Sequence, residues 1–278
     1  MTKRIFKNLF IVFCAITICQ YCAFAQDQQK EQQKVIHLFN GKNLDGWYTF
    51  VKSKGKNNDP DKVFSVKDGL IRVSGTEFGC ITTEEVFENY TLEVEYKVGE
   101  QSHGSRKGKA FDSGILVHSK GKDGAFAGVW MKSIEIQVME GGTGDFFVVS
   151  SDKDENFSLT STVDPKYHDP KRSGGVFLPN GIKTTVFTPS NPVRRLGVVP
   201  TRTDVARFRN ENEIEKPHGE WNTVKIVAQN DKIDTYLNGK LVNQAQNVKP
   251  ARGHIQLQSE GAEFFYKRVD MFLNDRQK

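Results

Sequence analysis

The chain has 278 residues, of which 37% are hydrophobic and 26% charged, with four cysteines and a formal net charge of +5. That length can bury a sizeable core, and because all-β domains of this size are common, one domain is the default expectation. Its 39 Lys and Arg against 34 Asp and Glu show no concentrated basic face of the kind a nucleic-acid partner requires.

The first segment, "MTKRIFKNLFIVFCAITICQYCAFAQ", places Lys3, Arg4 and Lys7 before an apolar run and ends in Ala23-Phe24-Ala25. These are the three parts of a secretory signal peptide, so cleavage after Ala25 is expected. The strongly apolar core from Leu9 to Ile18 is shorter than the roughly 20 residues that span a bilayer. Cys19 and Cys22 invite comparison with a lipidated N-terminal cysteine, but the residues before them are not the small ones such processing uses. Removing the signal leaves Cys80 alone, so no intramolecular disulfide is available, and it lowers the net charge from +5 to +2. Export without disulfides suits a periplasmic or cell-surface location, with no membrane span after cleavage.

Residues 26–34 form a Gln- and Lys-rich linker. From residue 35 to 278 short runs of β-branched and aromatic residues alternate with turn signals, the spacing of an all-β sandwich. In "KVFSVKDGLIRVSG" Asp68-Gly69 supplies a hairpin turn, and "NYTLEVEYKVG" alternates with period two from Tyr90 to Val98. "WNTVKIVAQNDKIDTYLNGKLVNQAQ" reads as three strands joined at Asn230-Asp231 and Asn238-Gly239, and "GHIQLQSEGAEFFYKRVDMFLN" as two more. No segment carries a 3.6-residue apolar repeat of helix length, so helices should be few and short. Between about 150 and 217 the strand signals thin out and six of the nine prolines gather. This loop-rich insertion is either a wall over a binding face or a surface excursion.

"SIEIQVMEGGTGD", Ser133 to Asp145, concentrates acidic groups on one strand. Alternation puts Glu135 and Gln137 on one face and Ile134, Ile136 and Val138 on the buried one. By parity Glu140 falls on the core face, where an unpaired carboxylate is costly, so either the strand ends by Met139 or a bulge shifts the register. Two carboxylates converging on a cleft suit glycosidic cleavage, with one acid and one base or nucleophile. Five strand steps nevertheless separate Glu135 from Glu140 by roughly 16 Å, and a solvated polar face is the alternative. By the same parity Trp130 belongs to the core.

Taken in order, "VIHLFNGKNLDGW", "DSGILVHS", "WMKSIEIQVMEGGTGDFFVV", "GEWNTVKIVAQNDKIDTYLNGKLVN" and "GHIQLQSEGAEFFYKRVDMFL" make the chain resemble the 3-keto-disaccharide hydrolase domain family. The resemblance implies a concanavalin A-like jelly-roll sandwich of two antiparallel sheets, with carbohydrate bound in the groove of one sheet. It also implies cleavage of a glycoside or disaccharide already oxidised at C3. On that basis the expected catalytic residues are Glu135 with Glu140 or Asp145 as the complementary carboxylate, and His118 facing an oxyanion. Asp112, Lys132, Gln137, Gln258 and Glu260 are expected to bind substrate, together with Tyr167 and His168 of the insertion. Family members often carry Asn where this chain has Asp112 and Arg where it has His118.

"EIQVME" is also similar to the strand of laminarinase-type glycoside hydrolases, in which an Asp stands where this chain has Gln137. An amide cannot share a proton as that carboxylate does. No cofactor is required on these grounds, although His118, Glu135, Glu140 and Asp145 leave room for a divalent metal. The rival expectations are a non-catalytic carbohydrate-binding module and a laminarinase-like glycosidase.

Overall fold

Backbone torsions at the turns bear out the hairpin readings. Asp68 and Gly69 both have positive φ, 52° and 74°, and join Phe64–Lys67 to Leu70–Val73. Asn238 and Gly239, at 49° and 82°, likewise join Lys232–Leu237 to Lys240–Lys249. Asn and Gly tolerate this left-handed region, and paired positive φ values match the twist of the flanking strands.

The computed structural model describes residues 35–150, 156–168, 175–187, 195–197, 202–209 and 214–274. The expected signal peptide and linker, up to residue 34, lie outside the described residues. Two sheets form a jelly-roll sandwich of the concanavalin A-like kind. The back sheet has ten strands centred on Asn222–Gln229, Tyr90–Ser102 and Ala262–Leu273. In the nine-stranded front sheet, Phe146–Val149, Lys132–Met139, Asp112–Lys120, His254–Ser259, Gly79–Thr83 and Trp47–Val51 lie side by side in that order. All named pairings are antiparallel except Gly175–Val176 with Arg195–Gly197 at the front-sheet edge. The described residues hold two helical pieces, both short 3-10 turns, Gly104–Arg106 and Pro165–Tyr167. None of their helices is long and apolar enough to cross a membrane.

The two sheets differ in how their outer faces meet solvent. Tyr90–Ser102 and Asn222–Gln229 alternate buried with partly exposed residues, so their inward side chains, such as Tyr90, Leu92, Val224 and Ile226, fill the core. Each such fully buried aliphatic side chain contributes about 1.5–3 kcal/mol relative to exposure. Lys132–Met139 and Asp112–Lys120 are instead buried on both faces. On their outward side a second apolar cluster of Cys80, Leu116, Val129, Trp130 and Val149 is packed by Phe50, Phe78, Phe126 and Phe147.

The segment from 150 to 217 adds strands to both sheets. Ser158–Val163 and Ile182–Phe187 extend the back sheet, while Gly175–Val176 and Arg195–Gly197 extend the front one. Ile182–Phe187 is the outermost strand and Ser158–Val163 lies between it and Lys240–Lys249; their sequences, "IKTTVF" and "SLTSTV", are Thr-rich. Leu159, Val163 and Val186 turn into the core, and backbone pairing adds to their hold.

A candidate active site on the outer face of the front sheet

Register builds the site. Ile134, Ile136 and Val138 point into the intersheet core, which forces Glu135, Gln137 and Met139 to the outward face. Opposite them on Asp112–Lys120 stand Leu116, Gly114 and Asp112 respectively. Gln258 enters from His254–Ser259 on the other flank, and Glu260 follows just after that strand ends. Gly114 is the floor on which two of these side chains lie. A Cβ there would fall 2.3 Å from Oε1 of Glu135 and 2.6 Å from Oε1 of Gln258.

Above this floor is a cavity of about 300 Å³. Asp112, Glu135, Gln137, Gln258, Glu260 and Arg202 supply its polar lining, and Phe126, Trp130, Met139 and Phe147 its apolar wall. Trp130 stacks between Phe126 and Phe78, with ring centroids 6.2 and 6.0 Å away, and its indole N–H donates to the Gly79 carbonyl at 3.1 Å. Parity assigned Trp130 to the core. The strand begins only at Lys132, so its alternation does not extend back to this residue.

The cavity concentrates buried acid. Glu135 is 6% exposed and Asp112 4%. Burial, followed by the charges of Asp112 and Asp145, pushes the Glu135 carboxyl up to about 8, and hydrogen bonding from Gln258 offsets part of the shift. Burial and the neighbouring Glu135 push Glu260 up to about 8, with Arg106 opposing. Asp112 is raised well above the usual carboxylate range, first by burial and then by Glu260, while Arg106 and Arg202 draw it down. Arg106 lies 3.3 Å from Asp112 and 3.1 Å from Asp204. Glu135 is thus the member of this trio with no arginine beside it among the causes of its shift. Oδ1 of Asp112, Oε1 of Glu135 and Oε1 of Gln258 are buried without a hydrogen-bond partner. Each such atom costs about 1–3 kcal/mol until a donor, a water or a ligand meets it.

The other residues singled out in the sequence lie elsewhere. Glu140 follows the last strand residue, Met139, and both its carboxylate oxygens are engaged. It accepts from the amides of Phe111 at 3.1 Å and Arg207 at 2.8 Å, and pairs with Nδ1 of His218 at 2.7 Å. It lines a separate cavity of about 470 Å³ with Arg207, Glu215 and His218. Asp145 is fully buried and acts on Glu135 through its charge, but it is not in the cavity wall.

His118 sits at a bulge, with φ of 53°, between Val117 and Lys120. Its Nδ1 meets the Pro250 carbonyl at 2.8 Å and its ring meets Tyr90 edge-on, so it faces packed interior and not the cavity. Burial lowers it to about 4 and keeps it neutral. Lys132 lines a third depression beside Phe157, while Tyr167 and His168 stand at the Pro165–Tyr167 turn, outside the cavity lining. Among the described residues no group of three or more His, Cys, Asp and Glu is arranged to hold a metal ion.

The family described as the 3-keto-alpha-glucoside-1,2-lyase-like domain matches residues 34–271. Two crystal structures from Parabacteroides distasonis ATCC 8503, each named a "putative glycosyl hydrolase", share 18% identity with the chain. They cover 87% of it and 94% and 100% of their own lengths, with TM-scores of 0.50 and 0.49. A Bacillus licheniformis beta-glucanase is 11% identical over 89% of this chain and all of its own, with a TM-score of 0.42. No curated protein matches the chain.

Proposed function

The chain belongs to the 3-keto-alpha-glucoside-1,2-lyase-like domain family, and on that premise we propose that it cleaves 3-keto-glycosides by elimination across C1 and C2 followed by hydration. The observation that carries this reading is the buried trio of Asp112, Glu135 and Glu260 in one cavity, where burial and mutual repulsion bring Glu135 and Glu260 to titrate together at about 8, so that one is ionised while the other keeps its proton. Elimination next to a ketone asks for one carboxylate and one carboxylic acid at the same pH. Mutual repulsion in a buried site provides that combination, because the second ionisation of the trio is suppressed by the first.

The assignment follows the arginines. Glu260, with Arg106 opposing its protonation, takes the proton from C2, whose acidity the C3 ketone raises. The C2–H electrons delocalise into a C3 enolate, which Arg202 in the cavity wall stabilises. As the enolate collapses, the C1–O bond breaks, C1=C2 forms, and Glu135 delivers its proton to the departing oxygen. Water then adds to C1 and gives a proton to Glu135, while Glu260 returns its proton to C2, so both acids regain their starting states. Gln137 and Gln258 stay neutral and hydrogen-bond hydroxyl or keto oxygens, a role that suits an amide where laminarinase-type enzymes use Asp. Phe126, Trp130 and Phe147 offer an apolar wall to the ring face of the sugar.

Incubation with a 3-keto-glucoside in deuterated water tests the reading. Elimination and hydration should release the aglycone and leave solvent deuterium at C2. Release from an unoxidised β-1,3-glucan alone would sustain the laminarinase-like reading instead, and binding of either sugar without release would sustain a carbohydrate-binding module.

A further inference from the structure

We infer that Glu140 is a positioning residue for this reaction, buckling residues 202–209 onto the end of Lys132–Met139 so that Arg202 and Asp204 are held over the site. The inference rests on the functional reading above. The buckle has two parts. Glu140 accepts the Arg207 amide at 2.8 Å with the same oxygen that accepts the Phe111 amide at 3.1 Å, and its other oxygen holds His218 at 2.7 Å. One carboxylate therefore joins the residue before Asp112 to the 202–209 segment and to the stretch around His218. A carboxylate receiving two backbone N–H bonds in a buried place makes strong, short, charge-assisted contacts, and each loses its partner if the acid goes.

The second part is steric. Beside Glu140, Gly141 has a φ of 70°, and a Cβ on it would lie 2.2 Å from the Phe208 ring and 3.3 Å from Cγ of Arg202. The segment lies directly on this glycine. At its other end Asp204 grips both terminal nitrogens of Arg106, at 3.3 and 3.1 Å, and Arg106 reaches Asp112 at 3.3 Å. Arg202 itself lines the cavity. The path from Glu140 to the reacting acids thus runs through Arg207, Asp204, Arg106 and Arg202, without Glu140 touching a substrate.

The experiment compares Glu140→Ala and Glu140→Gln by amide hydrogen exchange over residues 202–209 and by KM and kcat on a 3-keto-glucoside. Glu140→Ala should lose exchange protection at Arg207 and raise KM about tenfold, with kcat/KM down about a hundredfold, since misplacing groups by an ångström from a distance costs that much. Glu140→Gln, which keeps one acceptor oxygen, should recover most of both. Unchanged protection and KM in Glu140→Ala would overturn the inference. So would a loss confined to kcat with protection intact, which would make Glu140 a group that meets the reacting atoms. If Glu140→Ala fails to fold, Phe208→Ala releases the same segment and is read in the same way. If the wild-type protein does not turn over the keto-sugar, the functional reading falls, and the exchange measurement alone decides the buckle.

Discussion

The cavities holding Glu135 and Glu140 present the same residue type, at nearly the same burial, in opposite conditions. Glu140 is 5% exposed and its carboxylate is met by two backbone amides and a histidine. Glu135, 6% exposed, lies among other acids with one oxygen unpartnered. A buried carboxylate with both oxygens met by donors holds structure together, whereas one left unsatisfied and crowded by like charge is ready to hold and release a proton. Both residues come from the same short stretch of sequence, and the difference lies wholly in what surrounds them.

The largest expected effect comes from Glu135. Glu135→Gln should cut turnover of a 3-keto-glucoside about 10³-fold while leaving binding nearly unchanged, because an amide fills the same space but delivers no proton. Equal turnover by the variant in a single-turnover assay would erase the contrast between the two acids. Next is Gly114→Ala. Its new methyl group would collide with both Glu135 and Gln258, so turnover should fall about a hundredfold, with stability reduced by about 1–3 kcal/mol in urea unfolding. Wild-type kinetics in this variant would mean that the pose of Glu135 over the glycine does not matter.

A subtler test uses pH. The Glu135 carboxyl holds its proton to about 8 in the fold against 4.5 as its ordinary value, so between these pH values the folded state binds the extra proton and stability falls as pH rises. Glu135→Gln removes that loss. Its Tm relative to wild type should therefore climb from pH 5 to pH 8.5, a trend that differential scanning calorimetry would detect and that a flat difference would refute. The smallest effect is expected at the apolar wall. Trp130→Phe keeps a ring in the stack but gives up the bond to Gly79, and should raise KM only a few-fold.

Much of the architecture was legible in the chain. The hairpin turns at Asp68-Gly69 and Asn238-Gly239, the alternation from Tyr90 to Val98 and the burial of Ile134, Ile136 and Val138 follow from local sterics and period-two patterning, which neighbours in the fold do not change. So does the outward aim of Glu135 and Gln137. The site's other half was less visible, because Trp130 and Phe126 lie off the strand, where parity has no meaning, and Arg106 and Arg202 come from segments without periodicity. His118 misled for a related reason, since a bulge at its own position turns it toward Tyr90 and Pro250.

By itself, then, the sequence determined a sandwich of short antiparallel strands and the face on which an acidic strand presents its polar side. Only the tertiary structure decided which acids share a cavity. Charge repulsion, desolvation and hydrogen-bond supply are set by groups far apart in the chain: Asp112 reaches Glu135 from the neighbouring strand and Glu260 from beyond it, while Phe111, Arg207 and His218 close around Glu140. Spacing along one strand carries no record of those partners.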